Sequence, residues 1–94
     1  MKIYKSQEEV NKDLVNGSLT VNDSVAFEFD LLVIKGDINA WDINAGNIKA
    51  GDINAWDISY YAVCSSYKNI TCKKIEGRRN KHKHFCLDGE VIMK

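Results

Sequence analysis

Five residues in the last third of the chain carry side chains able to ligate a soft metal: Cys64, Cys72, His82, His84 and Cys86. Thiolate and imidazole together favour zinc over magnesium or calcium, and three cysteines with one histidine make a common tetrahedral zinc set. On extended backbone, His84 and Cys86 share one face while Phe85 takes the other. The expected set is Cys64, Cys72, His84 and Cys86, with His82 as the substitute for His84. All four positions filled by protein leave no site for a water, so such a zinc would be structural. No close Cys-x-x-Cys pair occurs, and the competing reading is three buried thiols beside two solvated histidines. Three cysteines cannot all pair within one chain, and a reducing compartment keeps them as thiols.

Two further groups suit binding. The run Arg78-Arg79-Asn80-Lys81-His82-Lys83-His84 is the densest in charge. Its Arg78, Arg79, Lys81 and Lys83 are candidates for gripping phosphates or an acidic partner surface; the plainer reading is a solvated loop. No aromatic residue interrupts the run, so a stacking platform for single strands is not expected there. Trp41 and Trp56 are the second group, either partner anchors or covers for the glycine corners Gly36, Gly46 and Gly51. Asp37, Asp42, Asp52 and Asp57 form an acidic series that either mimics DNA phosphates or only turns corners, and the second is expected. Enzyme motifs are missing: no phosphate-binding glycine loop, no His-Glu-x-x-His and no Gly-x-Ser-x-Gly. A Cys64–His84 nucleophile lacks an identifiable orienting residue. The expectation is a non-enzyme.

What must position these groups is a repeat. Ile38, Ile43, Ile48, Ile53, Ile58 and Val63 recur every five residues, with units reading Ile-Asn-Ala-Trp-Asp or close to it over 38–57. Neither a helix nor a lone strand has a period of five. Each Ile-x-Ala reads as a short extended side with Ile and Ala inward, and the next two residues turn a corner. Four sides would close a square coil of twenty residues, 38–57, with a wider one at 58–79. Coils stack at about 4.8 Å. That spacing sets Cys64 beneath 84–86, Trp41 near Tyr61 and Trp56 near Arg78, while strict phase points Cys72 inward and Cys64 outward.

Ahead of the repeat, Ser6 with Glu9 reads as a capping box opening a helix over residues 6–17, with Val10, Leu14 and Val15 as its buried stripe and Gly17 as the stop. Residues 18–34 read as strands, 35–79 as repeat coils, and 80–94 as a basic loop and C-terminal strand. The expected fold is mainly β: one domain of 1–94, a short solenoid with an N-terminal capping helix and a zinc-stapled C-terminal end.

Composition narrows the class. Thirteen Lys and Arg balance thirteen Asp and Glu, which argues against nonspecific nucleic-acid binding. Residues 1–60 hold five Lys against ten acids, a net of −5; residues 61–94 hold eight Lys and Arg against three acids, a net of +5. No apolar run approaches the roughly 20 residues that span a bilayer. The start, Met1-Lys2-Ile3-Tyr4-Lys5, lacks a signal peptide's apolar stretch, so a cytoplasmic location is expected.

The repeats resemble those of pentapeptide-repeat solenoids, with the order of the inward pair exchanged: Ala follows Ile by two. The whole layout, with its Ile-Ser-Tyr-Tyr-Ala-Val-Cys and Lys-His-Phe-Cys-Leu-Asp-Gly-Glu segments, is similar to small phage and prophage proteins of Gram-positive bacteria. Some of that group resemble type II-A anti-CRISPR proteins. The resemblance implies a protein-binding inhibitor of the RNA-guided effector nuclease, and the reading of the residues themselves makes Trp41, Trp56, Tyr61, Arg78, Arg79, Lys81 and Lys83 its candidate partner surface. A gyrase-directed DNA mimic and a self-assembling solenoid are the alternatives, and the chain is expected as monomer or homodimer.

Overall fold

Short extended pieces with an apolar residue at every second position bury one side only by stacking on copies of themselves, and the computed structural model shows such a stack. It describes the backbone of residues 1–94 and every side chain except those of Ile34 and Lys35, where the expected strand-to-coil boundary falls. In chain order the elements are β1 (Lys2–Tyr4), α1 (Gln7–Asp13), β2 (Leu19–Thr20), β3 (Val25–Phe27), β4 (Leu31–Asn39), β5 (Asp42–Asn44), β6 (Ile48–Asn54), β7 (Asp57–Tyr60), β8 (Val63–Ser66), β9 (Ile70–Cys72), β10 (Lys74–Gly77), β11 (Lys83–Cys86) and β12 (Val91–Met93). The strands wind into a β-solenoid of about four turns. No helix is long and apolar enough to cross a membrane.

The solenoid has three faces, all laddered in parallel. Face one is β1-β3-β5-β7-β10. Face two is the first halves of β4 and β6 with β8 and β11. Face three is β2, the second halves of β4 and β6, then β9 and β12. Ile43 pairs with Ile58 and Ile38 with Ile53, so the repeat closes after three sides and fifteen residues, not the four sides and twenty expected. A five-residue period fixes the length of a side and says nothing about how many sides make a turn. Closure after three sides puts like on like: Asp42 on Asp57, Asn39 on Asn54.

The inward assignment holds. Ile38, Ile43, Ile48, Ile53 and Ile58 are buried with Ala45, Ala50 and Ala55, while Asn44 and Lys49 face solvent. Later coils lengthen at their corners. Ile48 pairs with Cys64 and Ile53 with Ile70, so a residue enters on each side of β8. The slip corrects the expected phase: Ala62, Cys64 and Ser66 point inward and Val63 outward. Solenoid pairing also starts earlier than expected, since β2 and β3 within 18–34 are already coil strands.

Corners are held by side-chain oxygens that accept backbone N–H groups from the next coil. Asp30 accepts from Asn47, whose own Oδ1 accepts from Ala62 and Val63. Asp52 accepts from Asn69, and Asn69 from Glu90. Asp42 accepts from Asp57. Glycine is required where coils come closest: a Cβ on Gly36 would lie 2.2 Å from the Gly17 carbonyl oxygen.

The first coil replaces a face-two strand with α1. Ser6 caps it, its Oγ accepting from Glu9 N–H at 3.4 Å, while the Glu9 carboxylate accepts from Lys5 N–H. The helix ends at Asp13, short of the expected 17, so of the expected stripe Val10 is buried, Leu14 is half-buried and Val15, beyond the helix, is exposed. Asn16 and Gly17, both at positive φ, instead make a tight turn closed by paired bonds between Val15 and Ser18, the hairpin geometry Asn-Gly favours. The Gln7 carboxamide donates to Leu32 C=O at 2.8 Å and accepts from Leu32 N–H at 3.0 Å, doing what a neighbouring strand would do. Gln7→Ala is expected to cost about 1 kcal/mol in urea unfolding, with Gln7→Glu, which keeps only the acceptor, in between.

Candidate functional site

Fifteen-residue closure stacks the two tryptophans. Trp41 and Trp56 lie with ring centroids 6.1 Å apart and planes 12° apart, at the corner between faces three and one. The backbone forces this: Trp41 N–H donates to Asp23 C=O, Trp56 N–H to Trp41 C=O, and Lys73 N–H to Trp56 C=O. Lys73 continues the column, its Nζ 5.7 Å from the Trp56 ring centre. The indoles remain 47% and 52% exposed. Two large apolar rings are thus held by the backbone ladder while half in water.

This corrects both expected neighbours. Tyr61 sits at the corner between faces one and two, between Gly46 and Arg79, away from Trp41. Arg78 does not cover Trp56. Its guanidinium lies across face one, donating to Asn44 Oδ1 at 2.8 Å, Ser59 Oγ at 3.0 Å and the Ala45 carbonyl. Arg78 thereby ties three coils together. Lys73 is the residue that sequence reasoning missed; it lies seventeen positions after Trp56, a spacing visible only once the two inserted residues are placed.

Arg79, Lys81 and Lys83 stay exposed on the loop and strand that follow. His82 anchors that loop, its Nδ1 2.8 Å from Arg79 C=O and its ring edge-on to Tyr60. The corner acids Asp42 and Asp52 each hold a backbone N–H, as corner formers would.

The thiols and histidines are partly brought together. His84 pairs with Cys64 on adjacent strands, as expected, and Cys86 follows two residues on beside Ser66. Cys72 is on face three, its Sγ 3.8 Å from Met93 Sδ. His84 Nδ1 is 2.9 Å from the Tyr60 hydroxyl. Among the described residues no group of three or more His, Cys, Asp or Glu side chains is placed to hold a metal ion. The expected four-residue cluster is thus divided between two faces, with Cys64 and Cys72 both turned into the core.

Burial pushes the Cys64 thiol up to about 12, helped by Cys86 and Cys72 nearby. Cys72 and Cys86 are also raised, chiefly by burial. Tyr4 is raised to about 12 by burial and by its hydrogen bond to Asp13. A group raised on folding favours the folded state below its unfolded value, and that contribution is lost as pH climbs through the folded value. For Cys64 the loss begins near its ordinary value of 9.0 and is complete near 12. The thermal midpoint is expected to fall above pH 9, and more shallowly in Cys64→Ala, as followed by circular dichroism.

Comparison with family models, curated proteins and solved structures finds no match to this chain.

Proposed function

We propose that the protein is a rigid interaction module that inhibits a type II-A CRISPR effector nuclease by occupying part of its surface. The observation that carries this reading is the half-exposed Trp41–Trp56 stack with Lys73 beside it. Its position on a laddered corner means that little conformational entropy is lost when a partner covers it. The identity of that partner rests on the resemblance to phage anti-CRISPR proteins. The test is a DNA-cleavage reaction by type II-A ribonucleoproteins with the protein titrated in. Loss of cleavage near one equivalent supports the proposal, and undiminished cleavage across several orthologues overturns it.

Self-association is a second reading, favoured by the last coil, where β10, β11 and β12 each have one unpaired edge. Light scattering over a dilution series reports it. The zinc reading rests on Cys64, His84 and Cys86, which share adjacent strands. Metal analysis of protein purified without chelator tests it.

A further inference from the structure

Coil stacking sorts charge by face, which neither the net charge nor the half-chain sums disclose. On the strands of face two the outward positions are Leu32, Lys49, Val63, Ser65, Lys83 and Phe85, with no acid among them, while the exposed Glu8 and Glu9 lie on α1 at the first-coil end. The loop of residues 78–82 adds Arg79 and Lys81 at one margin. Among the described residues the ion pairs are Met1 amino group–Asp23, Lys2–Asp13 and Lys74–Glu76. None engages Lys49, Arg79, Lys81 or Lys83. The corner carboxylate at the Leu32 end, Asp30, accepts the N–H of Asn47 through one oxygen.

Two clefts meet on this face at Val63. One, of about 250 Å³, is lined by Ala62, Val63, Arg79, Lys81, His82 and Lys83. The other, of about 400 Å³, runs along Leu32, Lys49 and Ser65 and has the Asp30 carboxylate at its edge. Aromatic rings stand at both margins. Tyr61, half exposed, is joined to Arg79 by a backbone bond of 2.9 Å. Phe85 lies with Lys83 Nζ 5.3 Å from its ring centre. The chain order hides this interleaving, because the rings flank the basic run in space and not within it.

We infer that face two is a binding groove for a single-stranded nucleic acid, with phosphates at Lys49, Arg79, Lys81 and Lys83 and bases against Tyr61 and Phe85. Cations spaced along a groove with exposed rings beside them are the chemistry that single strands use. An acidic protein segment would be served by the cations alone and gives the two rings no role. The inference is independent of the nuclease reading, since it concerns the isolated protein.

The experiment is fluorescence anisotropy with labelled dT15 and rU15 and the whole chain, from 25 to 200 mM salt. Saturable binding in the micromolar range is expected. Its log–log salt slope should be about −2 to −3, as three or four phosphate contacts on a single strand require. R79E/K81E/K83E should weaken binding at least tenfold and flatten the slope. K2E/K74E/K94E, which changes net charge equally on faces one and three, should retain it within threefold. Phe85→Ala and Tyr61→Ala should each weaken it about tenfold. K81E alone, in an exposed loop, covers the case in which the triple variant does not fold and should weaken binding measurably. No saturation at 25 mM salt, equal losses in both triple variants, or full competition by polyglutamate at equal charge would each overturn the inference.

Discussion

Ile53→Ala is expected to lower the unfolding free energy by about 2–5 kcal/mol, the range for truncating a buried Ile or Leu side chain. Ile53 is fully buried and stacks between Ile38 and Ile70 on face three. Its neighbours are fixed by ladders on both sides, so the cavity has little freedom to collapse. For a chain of this length total stability is of order 5–15 kcal/mol, so the loss is a large fraction of the total. Ile3→Ala is the control: Ile3 lies on the outward side of β1 and is 47% exposed. Its cost is expected within about 0.5 kcal/mol. Urea unfolding of both proteins checks the pair, and equal losses would contradict an isoleucine column at the centre.

The second large effect is functional. Trp41→Ala combined with Trp56→Ala is expected to raise the concentration needed for half-inhibition of the nuclease at least thirtyfold, corresponding to about 2 kcal/mol, the threshold for an anchor residue. Folding should suffer much less, because the stack is half in water and an aromatic pair is worth about 0.5–1.5 kcal/mol. Asn54→Ala, an outward change on face three, serves as the comparison and should leave inhibition unchanged. A double tryptophan variant that inhibits as well as the parent would return the indoles to a purely structural role.

Side chains that obey the period were legible from the chain alone. Ile43 and Ala45 inward with Asn44 outward follows from alternation, and the corner role of Asp42 and Asp52 follows from their chemistry. What did not follow was the number of sides. Trp41 beside Tyr61 required twenty residues per turn, and Trp41 on Trp56 requires fifteen; both respect a period of five. The last coil does advance twenty residues, from Cys64 to His84, because the basic loop is inserted there, so that one pairing was reached from the wrong geometry. Cys64 faces inward because single residues inserted at the corners flip a strand's whole phase. Arg78 was misplaced for a related reason: a long side chain crosses coils, and its partners Asn44 and Ser59 have no sequence relation to it.

The identity of Ile38 with Ile53 and of Asp42 with Asp57 in register means that one storey of this tower is interchangeable with the next. Duplicating residues 42–56 would extend the column by one strand spacing, about 4.8 Å, and would add a third indole to the stack. The helix-capped end and the basic end would then separate by that increment while each kept its own chemistry. The protein is in this sense a ruler with graduations of one coil, and the distance between its two ends is set by how many times a fifteen-residue phrase is written.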